Sequence, residues 1–190
     1  MAEKSPNPKL KSCCVERESN VILDPDTAHP CLLVSEDGKS VRMGDRVQDL
    51  PANPERFDLY PFVLGCEGFK AGRHFWEVTL GHREIWVVGV LSESVSRKDV
   101  VNFLPEEGIW GLGKWDDEYR ASTRHWEPPL ALLQEPTKVR VMLNYEGGQV
   151  AFFDADTLDM LYVYSDIFFS GETILPFLFL IGEEPMMLSP

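Results

Sequence analysis

The sequence predicts an all-β protein built as a two-layer antiparallel β-sandwich. From Val21 onward, short apolar segments of strand length, rich in β-branched and aromatic residues, are separated by Pro, Gly, Asp and Asn. No long stretch keeps the helical period of 3.6 without an interrupting Gly or Pro. Many short strands at such spacing are typical of an antiparallel sandwich.

The segment 138–143 shows the strand pattern most clearly. Val139 and Val141 fall on one side of it and Lys138 and Arg140 on the other, which is the period of two expected of a half-buried strand. A turn with two glycines at 145–149 joins it to the next alternating run and predicts a β-hairpin. Further strands are expected at 31–35, 75–80, 85–91, 108–112, 149–154, 161–164 and 175–181.

Length and composition indicate one globular domain behind a polar leader. The 190 residues suit a single core, and 44% hydrophobic with 26% charged residues is ordinary for a folded domain. Residues 1–20 are polar and contain Pro6 and Pro8, so we expect a leader or linker there, with a short helix over 9–19 as the alternative.

The chain is strongly acidic, with a formal net charge of −13. Such a body repels phosphate backbones and anionic lipid, so we expect no nucleic-acid partner and no direct membrane contact by this chain. A basic or apolar partner surface suits it better. The alternative is that the acidity serves only solubility.

The cysteines and the N-terminal residues favour a reducing, cytoplasmic setting. Cys13, Cys14, Cys31 and Cys66 form neither a disulfide framework nor a zinc-ligand cluster, and no N-x-S/T acceptor site occurs. The first residues lack the apolar centre of a signal peptide, and the longest strongly apolar run is too short to span a bilayer.

Patterns typical of catalysis are missing from the sequence. It contains no G-x-S-x-G elbow, no H-E-x-x-H and no phosphate-binding P-loop, and Gly111 with Gly113 forms a lone G-x-G inside an expected strand. Cys66 and His74 could meet on adjacent strands by chance, and the carboxylates at 116–118 are too few for calcium. We therefore expect no catalytic residue, no metal and no cofactor.

Several short motifs follow one another in a fixed order along the chain. They are LDP at 23–25, RFD at 56–58, VLG at 63–65, GRHFWEV at 72–78, SVSRK at 94–98, PEEGIW at 105–110 and LNYE at 143–146. In this order they resemble the PRY–SPRY (B30.2) domain of the butyrophilin and tripartite-motif group. The family pattern has Asp where this chain has Asn144.

The resemblance implies a concanavalin-like jelly roll in which a PRY segment (21–75) and a SPRY segment (76–190) form one domain. Its motif residues are expected to be scaffold. In the W-E-V motif, strand alternation would bury Trp76 and Val78 together, while Glu77 is ion-paired or hydrogen-bonded.

The resemblance also places ligand contacts on loops and strand ends around a concave, loop-lined surface. The partner-binding positions carried over are Val87, Gly113, Trp115, Tyr119, Arg120, Trp126, Ile181 and Gly182. Trp115 is the strongest candidate, because tryptophan is a common binding anchor; packing at the sandwich rim is the alternative. Gly113 replaces the bulky aromatic of antibody-binding relatives, so an antibody partner is not expected.

Some butyrophilins bind phosphorylated metabolites in a basic pocket. The corresponding positions in this chain are Tyr60, Val87, Asn102, Arg120, Trp126 and Phe179. Arg120 is the one cation among them, and a diphosphate needs several such donors to offset its desolvation.

The predicted function is therefore a non-catalytic module that recognises a partner protein or peptide. It would be the C-terminal part of a tripartite-motif ubiquitin ligase or of a butyrophilin-like receptor, with any homodimer formed by other regions of that parent protein. The alternative is an intracellular sensor of small phosphorylated molecules.

Overall fold

The computed structural model of the protein describes residues 16–124 and 127–190, and it contains two packed β-sheets. The strands of the eight-stranded sheet are, in sheet order, β12 (Met160–Tyr164), β11 (Gln149–Asp154), β10 (Lys138–Asn144), β6 (Arg73–Thr79), β14 (Met186–Leu188), β4 (Ser40–Met43) and β3 (Leu32–Val34), with β1 (Arg17–Glu18) beside β6. The strands of the six-stranded sheet are, in order, β2 (Leu23–Asp24), β5 (Phe62–Gly65), β13 (Ile174–Ile181), β7 (Ile85–Ser92), β8 (Ile109–Trp115) and β9 (Glu118–Ala121). A short 3₁₀ helix, Pro105–Glu107, precedes β8.

The predicted antiparallel sandwich is confirmed, and so is the β10–β11 hairpin. Asn144 pairs with Gln149 across the hairpin, and Gly148 has a positive φ of 60°. Val139 and Val141 are buried while Lys138 and Arg140 are partly exposed, as the alternation predicts.

The described part of the leader forms a strand, where a helix was the alternative expectation. Arg17 and Glu18 pair in parallel with His74 and Phe75 of β6. The partner of this strand is more than fifty residues away, so nothing in the local sequence pattern reveals the pairing. The rest of the expected leader lies outside the described residues.

The W-E-V motif is scaffold, as expected. Trp76 and Val78 are buried in the core between the sheets. The Glu77 carboxylate accepts two hydrogen bonds from Arg140, at 2.9 Å from Nε and 2.7 Å from Nη2. Both bonds end on the same oxygen, Oε1, and these charge-assisted bonds connect β6 and β10 on the face opposite the core.

Apolar side chains cover both faces of the six-stranded sheet. Residues at even positions of β7, such as Trp86 and Val88, belong to the core between the sheets. Val87 and Leu91 belong to a second apolar cluster on the outer face. Because both faces are buried, β7 is a nearly continuous apolar run rather than an alternating one.

Candidate partner-binding site

Trp115 lies at the end of β8, where a two-residue turn leads into β9. Asp116 and Asp117 occupy this turn with φ values of 46° and 65°, as a type I′ hairpin requires. Trp115 pairs with Glu118 across the hairpin and is partly exposed. Its ring packs at 5.6 Å from Phe103 and 5.4 Å from Phe179, measured between centroids. The indole of Trp115 is thus packed against two rings and still partly exposed.

One cross-strand row places several predicted residues side by side. Phe62 of β5 pairs with Phe179 of β13, and Phe179 pairs with Val87 of β7. Val87 in turn pairs with Gly113 of β8, and Gly113 with Arg120 of β9. Directly paired residues share a face of a sheet, so the row crosses the outer face of the six-stranded sheet.

A set of partly exposed apolar side chains surrounds this row at the same end of the sheet. We call it the aromatic surface, and its members are Tyr60, Ile85, Phe103, Trp115 and Ile181. Its floor contains the buried rings of Phe62 and Phe179, whose centroids lie 5.2 Å apart. The partly exposed ring of Phe103 lies 5.2 Å from Phe62 and 5.1 Å from Phe179. The aromatic surface therefore consists of apolar side chains that pack on buried aromatic rings.

Val87 and Gly113 belong to the floor, which corrects their expected role as contacts. The Val87 side chain is 1% exposed, and Gly113 is also buried. A Cβ atom at position 113 would lie 2.7 Å from Val87 Cγ2, so the valine methyl group occupies the space that a side chain there would need. Both residues thus lie beneath the exposed side chains of this face.

Tyr119 lies on the opposite face of the sheet from Trp115, which corrects the expectation of one continuous surface. Its ring packs in the core between the sheets, 6.2 Å from Trp86. The Lys114 ammonium lies 5.5 Å above it and pairs with Glu135 at 3.2 Å. Burial, and then the nearby Glu135 carboxylate, raise the pKa of Tyr119 despite the opposing effect of Lys114.

The charge of Arg120 is already neutralised within the chain. Its Nη2 lies 2.6 Å from the Glu118 carboxylate, and Nη1 donates to the Glu127 carbonyl at 3.0 Å. The Asn102 side chain is bonded to Glu107 at 2.6 Å. Tyr60 and Phe179 supply aromatic rings where a phosphate would need cations. Trp126 lies outside the described residues.

Ile181 and Gly182 end β13 beside Ile85. Ile181 pairs with Ile85 and is 41% exposed, so it extends the aromatic surface. Gly182 has a φ of 137°, and its carbonyl accepts a hydrogen bond from the Met43 amide at 3.1 Å. Glycine at this position lets the chain cross from the six-stranded to the eight-stranded sheet.

Three members of the site were absent from the residues inferred from sequence. Ile85 shares a face with Val87, so the period of two along β7 could have suggested it. Phe62 and Phe103 could not be found this way. They come from β5 and from the loop before the 3₁₀ helix, and only folding brings them under and beside Trp115.

A Cys–His contact in the structure joins His29 to Cys31. His29 Nδ1 accepts from the Cys31 amide at 3.0 Å and lies 2.9 Å from its sulfur, while Nε2 donates to the Asp58 carbonyl at 3.1 Å. Burial raises the pKa of the Cys31 thiol, which disfavours the nucleophilic thiolate. Cys66 and His74 line one cavity of about 550 Å³, and burial also raises the pKa of Cys66.

Within residues 16–124 and 127–190, no group of three or more His, Cys, Asp or Glu side chains is arranged to hold a metal ion. No helix within the same residues has the length and apolar character needed to cross a membrane.

Two family models match the chain in succession. The PRY model, described as a SPRY-associated domain, matches residues 21–69, and the SPRY domain model matches residues 73–188. Among solved structures, the PSpry domain of TRIM65 superposes with a TM-score of 0.74 at 20% identity, covering 91% of this chain and 93% of that one. Stonustoxin gives a TM-score of 0.71 at 18% identity over 90% of this chain and 27% of its own.

Curated relatives are similar over most of this chain. Butyrophilin subfamily 1 member A1 of Bos taurus is 42% identical over 173 residues, covering 90% of this chain and 32% of that protein. E3 ubiquitin-protein ligase TRIM58 of Mus musculus is 36% identical over 188 residues, covering 96% of this chain and 37% of that protein. The chain thus spans about a third of the length of these relatives.

Proposed function

Because this chain belongs to the SPRY domain family, with a PRY segment ahead of its SPRY segment, we propose that it recognises a partner protein through the aromatic surface and catalyses nothing itself. The observation that supports this function is the grouping of Trp115, Phe103, Tyr60, Ile85 and Ile181 as partly exposed apolar side chains at one end of the six-stranded sheet. Partly exposed aromatic side chains held by a packed floor are the usual anchors of protein interfaces.

Rigidity of the floor favours binding. The ring centroids of Phe62, Phe103 and Phe179 lie 5.1–5.2 Å from one another. Trp115 packs against Phe103 and Phe179, so its ring is already ordered before any partner binds. A side chain that is already ordered loses little conformational entropy on association.

The location of the chain within a longer protein is part of the proposal. Relatives of the kinds named above carry the matching segment in about a third of their length. We infer that the chain is likewise the recognition part of a larger cytoplasmic ligase or receptor. Sensing of phosphorylated metabolites is not proposed, because the one cation at the corresponding positions, Arg120, is bound to Glu118 and Glu127.

Trp115→Ala tests the proposal. Proteins captured from a cell extract by wild type are quantified against those captured by Trp115→Ala and Ile181→Asp, and the far-ultraviolet circular dichroism of each variant is recorded. We expect at least a tenfold loss of the specific partners with both variants and unchanged spectra, since hot-spot residues cost about 2 kcal/mol or more.

Phe168→Ala is the matched control. Phe168 is 89% exposed in the loop after β12, near the β10–β11 hairpin and away from the aromatic surface. The Phe168→Ala variant should retain every partner. Retention of the partners by folded Ile181→Asp and Trp115→Ala would overturn the proposal, as would equal losses in all three variants.

A further inference from the structure

Three cations near the aromatic surface are paired with carboxylates of the chain, and a fourth, Arg83 beside Glu84, is buried and donates to the backbone carbonyls of Leu80 and Glu184. Lys98 lies 3.8 Å from Asp58, and Lys114 lies 3.3 Å from Asp117. Arg120 is held 2.6 Å from Glu118. No free positive charge of these residues is therefore available to attract an acidic partner.

Three exposed carboxylates at the same place remain unengaged. Glu84, Asp116 and Glu183 form no ion pair and no side-chain hydrogen bond with any residue in 16–124 or 127–190. They lie at the adjoining ends of β7, β8 and β13, which are neighbours in the sheet. The strand ends that carry Ile85, Trp115 and Ile181 therefore also carry unpaired negative charge.

Each carboxylate adjoins a member of the aromatic surface in the chain. Glu84 precedes Ile85, Asp116 follows Trp115, and Glu183 is two residues beyond Ile181. Neighbouring strands are about 4.8 Å apart, so the three strand ends span roughly 10 Å. An extended peptide rises about 3.3 Å per residue, and it would cross this distance in about three residues.

From this arrangement we propose that the partner segment carries an apolar anchor side chain flanked, within about three residues, by Lys or Arg. The inference rests on the proposed function and specifies the chemistry of its ligand. The anchor would contact Trp115 and Ile181, and the flanking cations would pair with the unengaged carboxylates. An acidic segment would be repelled by the same groups and by the net charge of −13.

A random-peptide display selection on the wild-type domain tests the inference. Enriched peptides are synthesised, and their affinities are measured by fluorescence anisotropy for three proteins. These are the wild type, the rim variant Glu84→Gln/Asp116→Asn/Glu183→Gln, and the control variant Glu16→Gln/Glu36→Gln/Glu67→Gln. The control removes three exposed carboxylates as well, at the opposite end of the sandwich. Asn is chosen at 116 because it tolerates the positive φ of 46°.

We expect peptides with an apolar residue flanked by Lys or Arg, bound about tenfold more weakly by the rim variant and equally well by the control. One exposed ion pair changes the dissociation constant by less than about tenfold, so the expected tenfold change comes from three pairs acting together. The difference should shrink at 0.5 M salt, where exposed charges are screened.

Failure of the inference can be distinguished from failure of the proposed function. Enriched peptides that need Trp115 but have neutral or acidic flanks, or that bind the rim variant as tightly as wild type, would overturn the inference and leave the proposed function standing. Peptides that bind folded Trp115→Ala and Ile181→Asp unchanged, or a selection that enriches nothing, would overturn both.

Discussion

Val87 and Gly113 show how a single absent side chain shapes the candidate site. They pair across β7 and β8, and the valine methyl group fills the space above the glycine. A large residue at 113 would have to displace both Val87 and the neighbouring backbone. The glycine therefore keeps the floor flat, so that the partly exposed rings of Trp115 and Phe103 stand above it.

His29 is a residue whose titration should affect stability. Burial lowers its pKa below the ordinary value of 6.5, and this effect exceeds the opposing influence of Asp58. The unfolded chain therefore binds a proton at His29 more readily than the folded protein does. Stability associated with neutral His29 is present above pH 6.5 and is lost as the pH falls below it.

We expect the melting temperature of the wild type to fall between pH 7.5 and pH 5.5 by more than that of His29→Gln. The measurement is differential scanning fluorimetry at both pH values, with His82→Gln, at an exposed position, as the control. Equal falls in wild type and His29→Gln would contradict the assignment.

At the scale of elements, Tyr164 ties the two sheets together. Its hydroxyl, at the end of β12, lies 2.7 Å from the carbonyl of Gly111 in β8 and 3.0 Å from that of Ser122 after β9. Burial raises the pKa of this phenol, so the neutral donor persists to high pH. The tie holds the edge of the eight-stranded sheet against the strands that carry Trp115 and Arg120.

Tyr164→Phe should lower the free energy of unfolding by about 1–2 kcal/mol, since it leaves a buried carbonyl without this donor. The value is obtained from urea denaturation followed by tryptophan fluorescence. Tyr162→Phe is the matched control, because the hydroxyl of Tyr162 is exposed and 3.5 Å from Glu127. A loss no greater than that of the control would show that the tie contributes little.

At the scale of the whole molecule, the PRY and SPRY segments share both sheets. Strands β2 and β5 of the first segment complete the six-stranded sheet beside β13, and β3 and β4 complete the other sheet beside β14. Phe57, Phe62 and Leu64 also supply much of the second apolar cluster. We therefore propose that the two segments fold as one unit.

A chain of residues 73–190 alone should fail to fold cooperatively. Removing the first segment exposes β13 and β14 as unpaired edges and uncovers the apolar outer face of the six-stranded sheet. Thermal unfolding by circular dichroism, compared with residues 16–190, checks this. A single sharp transition for the shorter chain would contradict the proposal.

How much of the structure could be predicted from the sequence depends on how far apart in the chain the interacting residues lie. Alternation along 138–143, the two glycines at 147–148 and the pairing of Glu77 are local or adjacent-strand features, so they were predictable. The β8–β9 hairpin was not predicted, because its turn has two aspartates in place of the usual Asn-Gly.

By itself the sequence determined that this chain forms an antiparallel sandwich and which residues share a strand face. Only the tertiary structure decided which of those faces is covered. Val87 is buried within the second apolar cluster, whereas Ile181 on the same face ends its strand and is exposed. The physical reason is that strand alternation sets the direction of a side chain, whereas burial depends on loops and strands distant in the chain.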